Sequence, residues 1–384
     1  MKSYKGTPYN INNTIIGKVT HKNNFFLKRK NYVILCNEKC SHLYGYSGAI
    51  FISPPALNIP KKIPYIYYND NRMLSDLKDD DVVLLNPDGS INVLWETESN
   101  DNVFFLTNQC NCKCIQCPQP PHEDPQGLFE LNLKILNLID PQKTNNLCIT
   151  GGEPTILGDR FIGFLKKCAD TFPESNITIL TNGTQFSNFE FTKQVCSIKA
   201  KNLLICISLY ADTYILHDRI TRLKGSFYNT VKGIQNIAKF YKNIEIRFVI
   251  SKLNYQRLLS FAIFVYRNFP FVTHVAFMGL EMTGYAEKNL NEVWIDPVDY
   301  KDYLKSAVLE LERRDINVSI YNIPLCLLPK DIWRFSRKSI SNWKNDYLPI
   351  CKNCDMQEMC CGIFTTSAFQ SNNIKPIVID KNQT

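Results

Sequence analysis

The sequence predicts an α/β protein built around a parallel sheet, with a β-rich region ahead of that sheet and a cysteine-bearing extension behind it. Three observations predict this. Between about residues 102 and 282, short apolar runs alternate with segments of helical spacing. Before residue 100, similar runs alternate with turn signals, and helical periodicity is scarce. After residue 320, Cys326, Cys351, Cys354, Cys360 and Cys361 gather in one stretch.

At 384 residues the chain exceeds the usual size of one simple core, so two or three units are expected. A 45% hydrophobic and 21% charged composition is that of an ordinary globular protein. The net charge of +8 comes from 44 basic and 36 acidic residues, and the lysines are scattered rather than gathered in a stripe. This reads as a solvated surface, which argues against nucleic acid as a partner. Residues 1–18 are polar and lack the apolar core of a signal peptide. No apolar run reaches the length needed to cross a bilayer, so no membrane partner and a cytoplasmic location are expected. In that compartment 15 cysteines point to metal or redox chemistry rather than structural disulfides.

Within residues 1–100, Tyr32–Leu35, Ala49–Ile52 and Val82–Leu85 read as strands. Asn86-Pro87-Asp88-Gly89 reads as the turn of a hairpin into Ile91–Trp95. The next region, 101–285, holds six expected strands: Val103–Leu106, Leu147–Thr150, Ile177–Leu180, Leu203–Leu209, Ile244–Ile250 and Val272–Met278. Helices are expected between them at Leu128–Ile139, Phe161–Ala169, Phe189–Cys196, Thr230–Phe240 and Leu258–Val265. Strands that alternate with helices make a parallel sheet, whose functional groups belong at the C-terminal strand ends. The extension, 286–370, starts with a helix around Tyr300–Arg313 and a strand at Val318–Tyr321, and a polar, loosely held tail follows at 371–384.

The first cysteine cluster directly follows the first of the six strands. Cys110, Cys114 and Cys117 have the spacing Cys-x3-Cys-x2-Cys, which can wrap a four-iron cluster and leave one iron without a protein ligand. Cys112 lies inside the same loop, so a tetrahedral zinc site of Cys110, Cys112, Cys114 and Cys117 is the alternative.

The loop resembles the signature of the radical S-adenosylmethionine superfamily, and later strand ends resemble the same template in order. That resemblance implies a partial (β/α)6 barrel over 101–285. It also implies that the open iron takes the amino and carboxylate groups of S-adenosylmethionine and passes an electron to its sulfonium, giving a deoxyadenosyl radical. Gly151, Gly152 and Glu153 match the motif that receives the cofactor amino group; the glycines allow close backbone approach, and Glu153 offers an anion. Asn182 and Ser208 match positions facing ribose and carboxylate, and their bland alternatives are a turn and a core serine. Arg247 points inward to the carboxylate or else makes a surface contact, whereas Met278 and Gly279 match backbone around the adenine. His217 reads as a helix-start residue.

In the extension, Cys326, Cys351, Cys354 and Cys360 supply four thiols, enough for a closed four-iron cluster or a zinc site. The arrangement resembles the auxiliary-cluster extension of peptide-modifying superfamily members, which implies a second 4Fe-4S cluster. Cys117-Pro118-Gln119-Pro120-Pro121, Phe277–Glu281, the stretch 339–344 and the Cys351–Cys361 ending resemble the His-Xaa-Ser system radical maturases, specifically the C-type member. Cys112 and Cys361 depart from that pattern. The resemblance implies a peptide or small-protein substrate with His-Xaa-Ser repeats, oxidative crosslinking, an electron donor and a second radical maturase as partner. The rivals are a superfamily enzyme acting on RNA or a small metabolite, and a zinc-stabilised binding module without catalysis.

Overall fold

The computed structural model describes residues 2–22, 26–36, 43–52, 63–69, 76–123, 127–240, 242–338 and 344–379. It divides into two compact units. One comprises 1–104, 126–147 and 170–175, and the other 105–125, 148–169 and 176–384.

The first unit holds eight short strands: β1 (Ser3–Lys5), β2 (Thr7–Tyr9), β3 (Ile15–Thr20), β4 (Tyr32–Cys36), β5 (Gly48–Phe51), β6 (Tyr65–Tyr67), β7 (Val82–Leu85) and β8 (Ser90–Trp95). The expected hairpin forms between β7 and β8, with Leu85 opposite Ile91. Its turn needs Gly89, which takes φ +84° and donates to Asn86 O at 2.9 Å. The strand order is β1-β8-β7-β3-β4-β5-β6-β2, so the two ends of the sheet are neighbours in sequence. β1 pairs with β8 on one side and β2 with β6 on the other, and Gly6 joins them. Gly6 N donates to Gly89 O, and a Cβ at Gly6 would lie 2.5 Å from Tyr67 O. The sheet therefore closes on itself through one bent segment, which leaves it without a free edge. Val19, Val33, Ile50, Ile66, Val83 and Ile91 fill one of its cores with branched aliphatic side chains. Helix α1 (Leu128–Leu138), which the sequence pattern groups with the strands after 101, belongs to this unit and packs against β3.

The second sheet contains β9 (Val103–Phe105), β10 (Asn146–Thr150), β11 (Asn176–Thr181), β12 (Asn202–Ser208), β13 (Asn243–Val249), β14 (His274–Met278), β15 (Val318–Tyr321) and β16 (Ser336–Arg337). They lie in sequence order, and every pairing from β11 to β16 is parallel. The six expected strands are all present, and Val318–Tyr321 and Ser336–Arg337 extend the sheet.

Helices α2 (Asp159–Thr171), α3 (Phe189–Cys196), α4 (Tyr214–Thr221), α5 (Ser226–Ala238), α6 (Leu258–Asn268) and α7 (Pro297–Arg313) alternate with or follow the strands. α5 begins four residues earlier than its apolar periodicity suggests. Asp218, on the preceding helix, accepts hydrogen bonds from Gly225 N, Ser226 Oγ and Phe227 N and so caps it from outside.

Strand alternation gives the sheet two unlike faces. Ile244, Ile246, Phe248, Val275 and Phe277 are fully buried, and Phe248 packs 4.5 Å from Phe261 of α6. The opposite, inner face carries Ser208, Glu245, Arg247, His274 and Ser319 instead.

Residues 371–379 are not loose. Ser371 is buried and donates to Asp296, and Asp355 N donates to Ile377 O, so backbone hydrogen bonds tie down a segment whose composition is polar. Among the described residues, no helix is long and apolar enough to cross a membrane.

Candidate functional site

The first cysteine loop is stitched into the second unit through its backbone. Leu106 N donates to Thr150 O at 2.9 Å, Gly152 N to Thr107 O at 2.7 Å and Glu153 N to Gln109 O at 2.9 Å. On the other side, Lys113 N and Ile115 N donate to Thr221 O and Ile220 O at the end of α4, and Tyr285 N donates to Cys117 O. Loop and strand end approach so closely that a Cβ on Gly151 would lie 2.8 Å from Thr107 O, and one on Gly152 2.4 Å from Gln109 O. The two glycines therefore admit the cysteine loop itself, a reason that sequence reasoning assigned to a ligand.

Glu153 also differs from expectation. Its side chain is 1% exposed and accepts hydrogen bonds from Thr155 N, Thr155 Oγ1, Thr181 Oγ1 and Asn182 N. Burial pushes its carboxyl up, against the pull of those donors. It is a bracket between β10 and β11 rather than a free anion. Through it Asn182 is set in place, and the Asn182 amide reaches Asn111 Oδ1 at 2.7 Å and Cys112 Sγ at 3.5 Å. Asn111 in turn donates to Thr184 Oγ1.

Cys110, Cys114 and Cys117 are half-buried, whereas Cys112 is 2% exposed. Cys112 N donates to Cys110 Sγ at 3.3 Å. Burial pushes the Cys117 thiol up to about 11, and the neighbouring thiol together with burial pushes Cys110 up. Thiols so placed ionise readily only beside a bound cation. Gln116, between two of these cysteines, is 3% exposed, and neither Nε2 nor Oε1 has a partner among the described residues. Half-exposed thiols and an unsatisfied buried amide on one loop fit a bound cluster and its cofactor. Among the described residues, no three Cys, His, Asp or Glu side chains are gathered for a single metal ion. A four-iron cluster distributes its ligands over separate irons and asks for a wider set.

The remaining predicted residues sit at neighbouring strand ends. Two residues beyond Ser208 stands Tyr210, which sequence reasoning passed over. Burial, then the Cys114 thiol beside it, raise the Tyr210 phenol well above its usual range. Behind Tyr210 stands His217, 1% exposed, whose Nδ1 accepts Tyr210 N at 3.1 Å; burial lowers it to about 4. Arg247 is the register partner of Ser208 and points inward, with its Nε on Glu245. Met278 and Gly279 close β14, and a Cβ on Gly279 would meet Asn322 O at 2.4 Å. A recess opens there, lined by Ile250, Gly279, Leu280, Trp294, Asn322 and Phe369.

The second set of cysteines comes together from three turns. Cys326, Cys351, Cys354 and Cys360 all line one space, with Tyr347 and Ile377. Backbone N–H groups are aimed at the sulfurs: Ile377 N at Cys354 Sγ (3.3 Å), and Leu325 N and Gly362 N at Cys360 Sγ (3.4 Å each). The neighbouring Cys361 thiol, with the Gly362 and Leu325 N–H groups, lowers the Cys360 thiol. Cys361 itself is buried outside the lining. Of the stretch 339–344, residues 339–343 lie outside the described residues.

Comparison with known proteins adds sequence relationships to this geometry. Residues 101–226 match a family described as a 4Fe-4S single cluster domain. A putative glycyl-radical enzyme activating enzyme of Methanocaldococcus jannaschii is 22% identical over 41% of this chain and 49% of its own. An Fe-coproporphyrin III synthase of Methanosarcina barkeri is 24% identical over 50% of this chain and 46% of its own. The chain thus spans about half the length of these curated relatives. Among solved structures, Streptococcus suis SuiB bound to S-adenosylmethionine superposes with a TM-score of 0.46 at 18% identity, over 57% of this chain and 49% of that one. The cysteine loop thus lies within the stretch that matches the 4Fe-4S single cluster domain.

Proposed function

We propose that the chain is a radical S-adenosylmethionine enzyme that modifies a peptide or small protein of the His-Xaa-Ser type by hydrogen-atom abstraction, ending in an oxidative crosslink. The observation that carries the catalytic part is one loop with three half-buried thiols, Cys110, Cys114 and Cys117, sewn to the ends of a parallel sheet. Bound there, a 4Fe-4S cluster and S-adenosylmethionine supply one-electron chemistry, which needs an external electron donor. The chain's own residues do the holding. Gly151 and Gly152 bring the loop against β10, Glu153 fixes Asn182, and Ser208, Arg247, Met278 and Gly279 line the cofactor's side of the sheet within a partial barrel.

The peptide part rests on the likeness of several stretches to His-Xaa-Ser maturases, one of them the Cys351–Cys361 ending. The recess at the strand ends, lined by Ile250, Leu280, Trp294 and Phe369, gives an apolar side chain somewhere to sit. Pro324, Ile363 and Ile374 line both this recess and the second cysteine space. Cys326, Cys351, Cys354 and Cys360 would hold an auxiliary 4Fe-4S cluster, which would supply an acceptor for the electron released on crosslinking. A second radical maturase completes the proposed partners.

Anaerobically reconstituted protein with dithionite is expected to form 5′-deoxyadenosine from S-adenosylmethionine. A His-Xaa-Ser repeat peptide is expected to lose about two hydrogens in mass per crosslink. An unchanged peptide beside efficient modification of an RNA or a metabolite would replace the substrate assignment.

A further inference from the structure

The inner face of the second sheet is largely apolar around Leu204, Val249, Ala276 and Met278, which isolates one polar chain running across three strands. Arg247 Nε donates to Glu245 Oε1 at 2.6 Å. His274 Nδ1 donates to the other oxygen, Oε2, at 2.8 Å, and His274 Nε2 shares a hydrogen bond of 2.9 Å with Ser319 Oγ. None of these bonds caps a helix or satisfies a backbone group.

Such a chain is not needed for stability. The Glu245 side chain is 9% exposed and that of Arg247 15%, and apolar residues of similar size generally serve a buried position as well as an ion pair does. Burial pushes the Glu245 carboxyl up, but the His274 hydrogen bond and the Arg247 charge outweigh it and leave it at about 2. It is an ion at neutral pH.

The split of its two oxygens is the telling feature. Left alone with Arg247, a carboxylate tends to take the guanidinium as a bidentate pair and so use up its charge and its donors. Here His274 claims Oε2, so Glu245 reaches only Nε. Nη1 and Nη2 of Arg247 make no hydrogen bond among the described residues. We infer that Glu245, His274 and Ser319 are a positioning chain that holds Arg247 with its terminal fork open for a carboxylate on the inner face of the sheet. This rests on the functional reading above, and the carboxylate comes from S-adenosylmethionine or from the peptide.

Equilibrium binding of S-adenosylmethionine and of its decarboxylated analogue to the reconstituted full chain tests it. With His274→Leu, Oε2 is free to close on the fork. Affinity for S-adenosylmethionine is then expected to fall about tenfold or more, with that for the decarboxylated analogue unchanged. His274→Asn keeps a donor near the place of Nδ1 and is expected to restore the wild-type value. If the carboxylate is the peptide's, the cofactor affinity stays put in His274→Leu, and KM for the peptide rises instead at constant kcat. Equal losses for cofactor and analogue would make the chain merely structural and overturn the inference. So would a loss in Arg247→Lys with none in His274→Leu, or no change in any of these values. Wild-type protein that binds no S-adenosylmethionine and forms no 5′-deoxyadenosine fails the functional reading itself, and the chain with it.

Discussion

The two cysteine sites are built in opposite ways. The first takes all its thiols from one loop of eight residues, Cys110 to Cys117, and the surrounding structure grips the loop by its backbone. The second collects four thiols from Cys326 and from two turns, at Cys351–Cys354 and Cys360, and aims N–H groups at the sulfurs. A loop gripped from outside can leave one metal position open to a ligand. A space lined by four thiols and faced by backbone donors could fill every position of a cluster. Under the proposed function, the difference corresponds to chemistry at the first site and electron handling at the second.

The largest effect expected concerns iron. Triple replacement of Cys110, Cys114 and Cys117 by Ala is expected to abolish 5′-deoxyadenosine formation and cut iron from about eight to about four per chain, as one four-iron cluster per site requires. The paramagnetic resonance signal of the remaining cluster is expected not to shift on adding S-adenosylmethionine. Zinc at the second site in anaerobically purified protein would break the comparison. Within that site Cys360→Ala is expected to lose the cluster and Cys361→Ala to keep it, because only Cys360 lines the space. The opposite result in iron analysis reverses the assignment.

Gly152→Ala tests the grip on the first loop. The added Cβ meets backbone, Gln109 O, so a loss of about 1–3 kcal/mol and a lower iron content are expected. Gly163, which sits in α2 with nothing within 4 Å of such a Cβ, is the control: Ala there is expected to stabilise by about 0.5–1 kcal/mol in a urea titration.

His217 sharpens the comparison through pH. Burial lowers it from 6.5 to about 4, so below 6.5 the unfolded chain binds a proton that the folded chain refuses. Stability is therefore present above pH 6.5 and lost as pH falls towards 4, by up to about 3 kcal/mol, and His217→Gln is expected to flatten that slope in unfolding measured across the window. The smallest effect belongs to Cys112→Ala, expected to leave turnover and iron nearly unchanged. If Cys112 proves as necessary as its neighbours, the first site is a four-thiolate one and the contrast with the second disappears.

Sequence spacing revealed the second sheet because each strand is a short apolar run, and Ile177, Leu203 and Ile244 are indeed buried. It revealed the four thiols of the second site as candidates, since cysteines are rare enough to stand out. The closure of the first unit was not legible. Ser3–Lys5 and Thr7–Tyr9 are polar, three residues long and carry no period. Nor was the role of Glu153, whose charge suggested a ligand while three threonine and asparagine neighbours consume it. The polarity of Ser371 misled for the same reason: its partner, Asp296, lies 75 positions away.

The bent segment that closes the first unit sets an order of events in synthesis. Ser3 pairs with Asn92 and Thr7 with Tyr67, so Ser3–Tyr9 leaves the ribosome long before either partner exists. Until Tyr67 and Trp95 have emerged, β2 and β1 wait without their partner strands, and the growing chain carries two templates for mispairing. Pairings this distant in sequence form slowly. Production of the protein is therefore expected to depend on what shelters residues 1–100 as they emerge, well before any question of iron arises.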